Sequence, residues 1–188
     1  MSPKVYSARH QGSTSHDVAT GPIPSPPTDL EAVKADGDSF TFDQFTVDDA
    51  WTLGNLLRQR LTQFAHEKPT LVSIALANSQ QVVFQCAVGS GTAPDNEVWV
   101  ARKRRTVLRF GCSTWLMHCK FKGDEEVFRA KYGMDAAMAA GYAIHGGAVP
   151  IRVRGVEGVV AVVVVSGLKQ HEDHGVIVET VKGYWQEI

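Results

Sequence analysis

From residue 40 onward the apolar positions recur with helix and strand periods, so the elements follow in order. Phe40, Phe42 and Phe45 bracket polar Thr41 and Asp43, an alternation that predicts a strand or an extended lead-in. Thr46 then precedes Asp48 and Asp49, and Ala50, Leu53, Leu57, Leu61 and Phe64 follow at steps of three and four. A cap, acids near the positive end of the dipole and one apolar stripe predict a helix ending near His66.

Two β-rich runs, 70–77 and 81–88, flank Asn78, Ser79 and Gln80 and predict a hairpin. Trp99, Val100, Val107, Phe110 and Trp115 lie near helical spacing and predict a basic second helix over 97–119, which Gly111 either ends or lets pack closely. Asp124 caps a short helix to Lys131, and Asp135 an Ala-rich one to about Ile144 that Gly146 and Gly147 stop. Segments 151–153 and 159–165 form a second strand pair around a turn at 155–158. Because 159–165 is apolar at every position, both faces of that strand are expected to be covered, at the centre of the sheet. Val176, Ile177, Thr180, Val181 and Tyr184 trace a C-terminal helix after a polar loop over 169–174. The expected fold class is α/β (α+β), a mostly antiparallel sheet of about five strands flanked by helices.

Residues 1–38 differ. Pro22, Pro24, Pro26 and Pro27 stand among Ser, Gly, Thr and His with few large apolar groups, too little to offset the entropy of ordering. A flexible tail over 1–38 and one folded domain over 39–188 are expected, with a thin-faced docking helix conceivable at 28–38.

Composition narrows the class. A chain of 188 residues suits a single core, and 19 Lys plus Arg against 20 Asp plus Glu give no general affinity for nucleic acid. Cys86, Cys112 and Cys119 are too few and odd in number for a disulfide framework, which suits a reducing, cytoplasmic setting. The longest apolar run, 159–165, is far below the roughly 20 residues of a membrane helix, and no basic-then-apolar leader opens the chain.

Several strings stand in order: PDNEVW at 94–99, RKRRTV at 102–107, RFG at 109–111, HGGAVPIRV at 145–153 and VSGLKQHEDH at 165–174. On these the chain resembles the haem-degrading-domain-like superfamily, in its uncharacterised branch of small α/β proteins from bacteria and fungi, over roughly 40–188. The resemblance implies a profilin-like antiparallel sheet with helices against it, homo-oligomers, and haem as a ligand in some relatives. The family pattern continues after 109–111 with His, Ser, Ser and an aromatic, whereas this chain has Cys112, Ser113, Thr114 and Trp115. Any ligand role of that His is therefore missing.

Each candidate group has two readings. Arg102, Lys103 and Arg109, with Arg104 and Arg105, can hold a small anionic ligand, since Arg offers paired donors to flat anions; a solvated helix face is the plainer reading. His145, Gly146 and Gly147 supply either a pocket with close backbone approach or a simple helix cap. Ser166 follows the buried strand, where functional loops often lie, but without a nucleophile elbow. His171 and His174 share a helical face, yet a metal would need His118 or His145 as well, so helix initiation by Asp173 is favoured and no metal site is assigned. Cys112 and Cys119 share a face only if a helix runs through Gly111, and an inert pair is favoured over a thiolate.

The favoured function is a homo-oligomeric small-ligand-binding or accessory protein. Its pocket would lie between the basic helix, the His145 loop and 166–174, and its ligand would be haem or another anion. Arg102, Lys103 and Arg109 would meet the anionic groups, with His145 or His174 as axial or hydrogen-bonding partner. The alternative is a non-enzymatic adaptor or assembly protein of protein targeting or chaperone type, engaging a protein partner through the tail or through Tyr184 and Trp185. An enzyme is disfavoured for want of a complete catalytic set.

Overall fold

The computed structural model describes residues 4–8 and 19–188. In chain order the elements are β1 (Val5–Ala8), α1 (Leu30–Ala35), β2 (Phe40–Phe42), α2 (Val47–Leu61), β3 (Thr70–Leu76), β4 (Val82–Val88), α3 (Pro94–Phe110), α4 (Thr114–Phe121), α5 (Glu125–Lys131), α6 (Ala136–Ala139), β5 (Ala148–Val153), β6 (Ala161–Ser166), α7 (Gln170–Tyr184) and β7 (Trp185–Glu187). They build a seven-stranded sheet of order β4-β3-β6-β5-β2-β1-β7.

The sheet is mixed, which corrects the expectation of about five mostly antiparallel strands. The block β4, β3, β6, β5 is antiparallel, whereas β2 pairs parallel with β5 and β1 parallel with β2. The extra strands are short and come from the two ends of the chain. β1 pairs antiparallel with β7, and Trp185 is buried with its ring edge-on to Phe42 at 5.6 Å. Trp185, which the adaptor reading offers to an oligomer interface or a protein partner, is therefore part of this chain's own core.

The expected tail is partly structured as well. Asp29 caps α1 by accepting from the Ala32 amide, and Val33 is buried. Arg60, 2% exposed, donates through Nη2 to the carbonyls of Gly21 and Pro22 and through Nε to Glu179 at 2.7 Å. Segment 1–3 and segment 9–18 of that expected tail lie outside the described residues.

β6 is buried along its whole length, as its apolar run requires. Its side chains alternate between faces: Ala161, Val163 and Val165 meet α2 and α7 through Leu53, Leu57, Ile177 and Val181, while Val162 and Val164 meet α3 through Val100 and Val107. Helices thus cover both faces, each buried Val or Leu contributing about 1.5–3 kcal/mol relative to exposure.

The long basic helix divides at Gly111. That residue adopts φ 67°, a left-handed conformation that glycine enters at little cost, and its N–H closes α3 on Val107. Ser113 then caps α4 by accepting from the Leu116 amide. Cys112 and Cys119 consequently do not share one helix. Burial, then Asp38, pushes the Cys112 thiol up to about 12, which removes it as a nucleophile.

Candidate functional site

Three segments meet at the end of β6: the first turns of α3, the loop before β5, and the loop that becomes α7. A cavity of about 380 Å3 lies between them, lined among others by Asp95, Trp99, Lys103, His145, Ser166 and Gln170. Ala93 donates its N–H to Asn96 Oδ1 and starts α3, and Trp99 Nε1 donates to Asp95 Oδ2 at 2.9 Å. One turn further, Lys103 points under the loop before β5.

The floor is an ion pair. Lys103 Nζ lies 2.9 Å from Asp173 Oδ2, both side chains 3% exposed, and donates also to the Val165 carbonyl at 3.1 Å. Asp173 Oδ1 accepts from the Leu168 amide at 2.9 Å, and Oδ2 accepts from Gly167 at 3.4 Å. Burial raises the Asp173 carboxyl above its ordinary range, against the pull of Lys103 and those amides. Gly147 makes room for the pair: a Cβ there would come within 2.8 Å of Lys103 Nζ and 2.7 Å of Asp173 Cβ. The slot that backbone amides and an ammonium make for an anion is thus filled by the chain's own carboxylate. α7 starts at Gln170, so segment 169–174 is mainly helix rather than the expected loop; of the two expected places for Asp173, N-cap or first turn, it takes the first turn.

The rim carries the accessible chemistry. His145, half-buried, packs edge-on to Trp99 with ring centroids 5.0 Å apart, and its Nδ1 lies 3.5 Å from Glu125 Oε1. Arg102 lies over the Trp99 ring at 4.6 Å, 3.8 Å from the same Glu125 oxygen, and donates to the Tyr142 carbonyl. Burial lowers the His145 pKa, and Lys103 and Arg102 push the same way against Glu125. These influences together favour the uncharged form of the ring.

The sequence candidates separate accordingly. Lys103, His145 and Ser166 line the cavity; Arg102 stands at its rim. Gly146 and Gly147 are buried, the Gly146 N–H donating to Gln170 Oε1 at 3.3 Å and the Gly147 carbonyl accepting from Val165. Arg109 does not reach the cavity; its Nη1 approaches the sulfur atoms of Met134 and Met138. His174 is fully buried with neither ring nitrogen hydrogen-bonded, stacked 6.0 Å from Trp115, so it cannot act as an axial partner in the cavity. Ser166 is 6% exposed and shows no hydrogen bond to a base among the described residues. No group of three or more His, Cys, Asp or Glu suited to a metal occurs among the described residues, and no helix is long and apolar enough to cross a membrane.

Asp95, Asn96, Gln170 and the pairing role of Asp173 were not singled out from sequence. The one signal pointing to the pair was Gly147, a glycine where a helix had already ended.

Residues 45–182 match the family described as "Haem degrading protein HbpS-like". A UPF0303 protein of Streptomyces avermitilis is 40% identical over 159 residues, covering 85% of this chain and 91% of its own. UPF0303 protein YBR137W of Saccharomyces cerevisiae is 38% identical over 143 residues, 76% of each chain. The crystal structure of Ybr137w protein superposes with a TM-score of 0.66, covering 74% of this chain and 77% of that one. The crystal structure of HbpS, 16% identical, has a TM-score of 0.54, covers 75% and 92%, and shares the fold.

Proposed function

Because the chain belongs to the HbpS-like family, we propose that it is a small-ligand-binding protein whose site is the cavity rimmed by Trp99, Arg102 and His145, with haem as the ligand. The carrying observation is the His145 ring packed on Trp99 at the cavity wall, with Nδ1 3.5 Å from Glu125 Oε1. With Nδ1 on the Glu125 side, Nε2 would serve as the axial donor. Arg102 stands beside it to meet a carboxylate. The volume falls within the roughly 300–1,000 Å3 of small-molecule sites. Bound haem would supply a redox-active iron; Lys103, locked to Asp173, would hold the wall rather than pair with the ligand.

The reading is tested by titrating haem into the purified protein and its His145→Ala variant. A Soret band that saturates at micromolar haem and shifts or disappears in the variant is expected; no band, or one unchanged in the variant, contradicts it.

The proposal includes self-association. Trp51, Val47 and Val82 are 62%, 55% and 43% exposed and lie on α2 and on β4, the open edge of the sheet. β4 carries none of the charges that commonly protect an edge strand, so a second copy is its fitting cover. Native mass spectrometry of the protein and of Trp51→Glu checks this: an oligomer that the variant splits is expected, and a monomer in both contradicts it.

A further inference from the structure

A second groove, of about 590 Å3, lies at the opposite end of α3, between the β3–β4 turn and the β5–β6 turn, with Asn78, Gln80, Arg109, Phe110, Arg152 and Val159 in its wall. Arg109 is ten residues beyond Trp99 on α3, about 15 Å along the axis, so this groove is separate from the cavity at His145.

Its charge is one-sided. Arg109 and Arg152 line it with no carboxylate among the lining residues, and neither forms an ion pair among the described residues, whereas Arg60, Lys68, Arg102, Lys103 and Lys182 each do. Both guanidinium groups are held in place without being used up. Arg152 donates through Nη2 to the Gly111 carbonyl at 2.7 Å, and that single bond occupies one of its N–H groups. Arg109 lies over the rings of Tyr142 at 4.9 Å and Phe110 at 5.3 Å, and its nearest acceptors are thioether sulfurs, which bind N–H weakly. Among the described residues their remaining donors form no hydrogen bond to a protein oxygen; the Asp38 carboxylate, which feels the charge of Arg152, is engaged by the Ser113 amide and is not part of the groove wall. Phe110 and Val159 add an apolar wall beside them, and Asn78 and Gln80 add amides.

We propose that this groove binds a small molecule carrying an oxyanion, phosphate or carboxylate, on an aromatic or apolar body, with Arg109 and Arg152 as its paired donors. Arg is suited to such groups because its planar fork meets two oxygens at once.

The test follows backbone amide shifts at low salt during titration with phenyl phosphate and, separately, benzoate, in the full chain, in Arg109→Gln and in Arg152→Gln. Arg109 is exposed, so its variant keeps the fold even if the loss of the Arg152 bond to Gly111 disturbs its own. Saturable shifts at Gly111 and Gly158, at or below about 1 mM and at least tenfold weaker in Arg109→Gln, are expected. Saturation by phenyl phosphate alone assigns the anion as phosphate, by benzoate alone as carboxylate, and by both as either. No saturation with either probe, or shifts unchanged in Arg109→Gln, overturns the proposal. His145→Ala leaves these shifts in place, so the outcome is independent of the haem reading.

Discussion

Lys103 Nζ and Asp173 Oδ2 meet at 2.9 Å beneath Gly147, with both side chains 3% exposed. The contact ties α3 to the start of α7 and closes the floor of the cavity. Breaking one partner of a buried pair leaves a desolvated charge, at a cost of about 3–5 kcal/mol. Asp173→Asn and Lys103→Met are each expected to lower unfolding free energy by that amount in urea titrations. The double variant Lys103→Met/Asp173→Asn is expected to lose less than the sum of the two single losses, because no charge is left unpaired; strict additivity would contradict the coupling.

His174 sets the acid side of the stability curve. Burial, then the charge of Lys103, lowers its pKa to about 3. A histidine depressed in the fold binds its proton more tightly when unfolded. Its contribution is thus fully present above the unfolded value of about 6.5 and is lost as pH falls from there toward 3. Below about 6.5 the slope from this one group approaches 1.36 kcal/mol per pH unit. His118 and His145, also lowered by burial, act in the same direction. Neither ring nitrogen of His174 has a hydrogen-bond partner, so His174→Phe removes the titration without orphaning a partner. Urea midpoints from about pH 7.5 to 5 are expected to fall less steeply in the variant, by about one proton; parallel curves would contradict it.

Segment 20–27 crosses α7 at Gly175. A Cβ on Gly175 would strike the Pro24 carbonyl, and Trp115 Nε1 donates to the Pro27 carbonyl at 2.7 Å. Gly175→Ala is expected to lift this stretch, to cost about 1–3 kcal/mol through overpacking, and to open a proteolytic site within 20–27. Unchanged proteolysis and stability would show that the strap yields freely.

At the chain end, Trp185 is 4% exposed against Phe42. Trp185→Ala is expected to cost about 3–5 kcal/mol, read from denaturant midpoints, a large share of the roughly 5–15 kcal/mol that holds a domain together. A loss below about 1 kcal/mol would contradict the role of β7 in the core.

Local signals were readable in the sequence. Thr46 with Asp49, the run 159–165 and the polar joint at 78–80 each act over a few residues, and α2, β6 and the β3–β4 hairpin are the result. What was hidden depends on distant pairing. β1 and β2 are three or four residues long, too short for a pattern, and exist because β5, β2, β1 and β7 hydrogen-bond in turn. The pairing of Lys103 with Asp173 was hidden for a similar reason: each sits in a charged string with a plainer local reading, a solvated helix face for Arg102 to Arg105 and helix initiation for His171 to His174. Arg109 shows the converse. It belongs to the same basic string as Lys103 but lies nearly two turns further along α3, facing Met134 and Tyr142.

The position of iron tests the account most directly. Protein crystallised with haem and measured at the iron absorption edge is expected to give an anomalous peak at bonding distance from His145 Nε2, beside Trp99 and Arg102. A peak elsewhere on the molecule, or none in crystals that are visibly coloured, would contradict the assignment of the cavity as the ligand site.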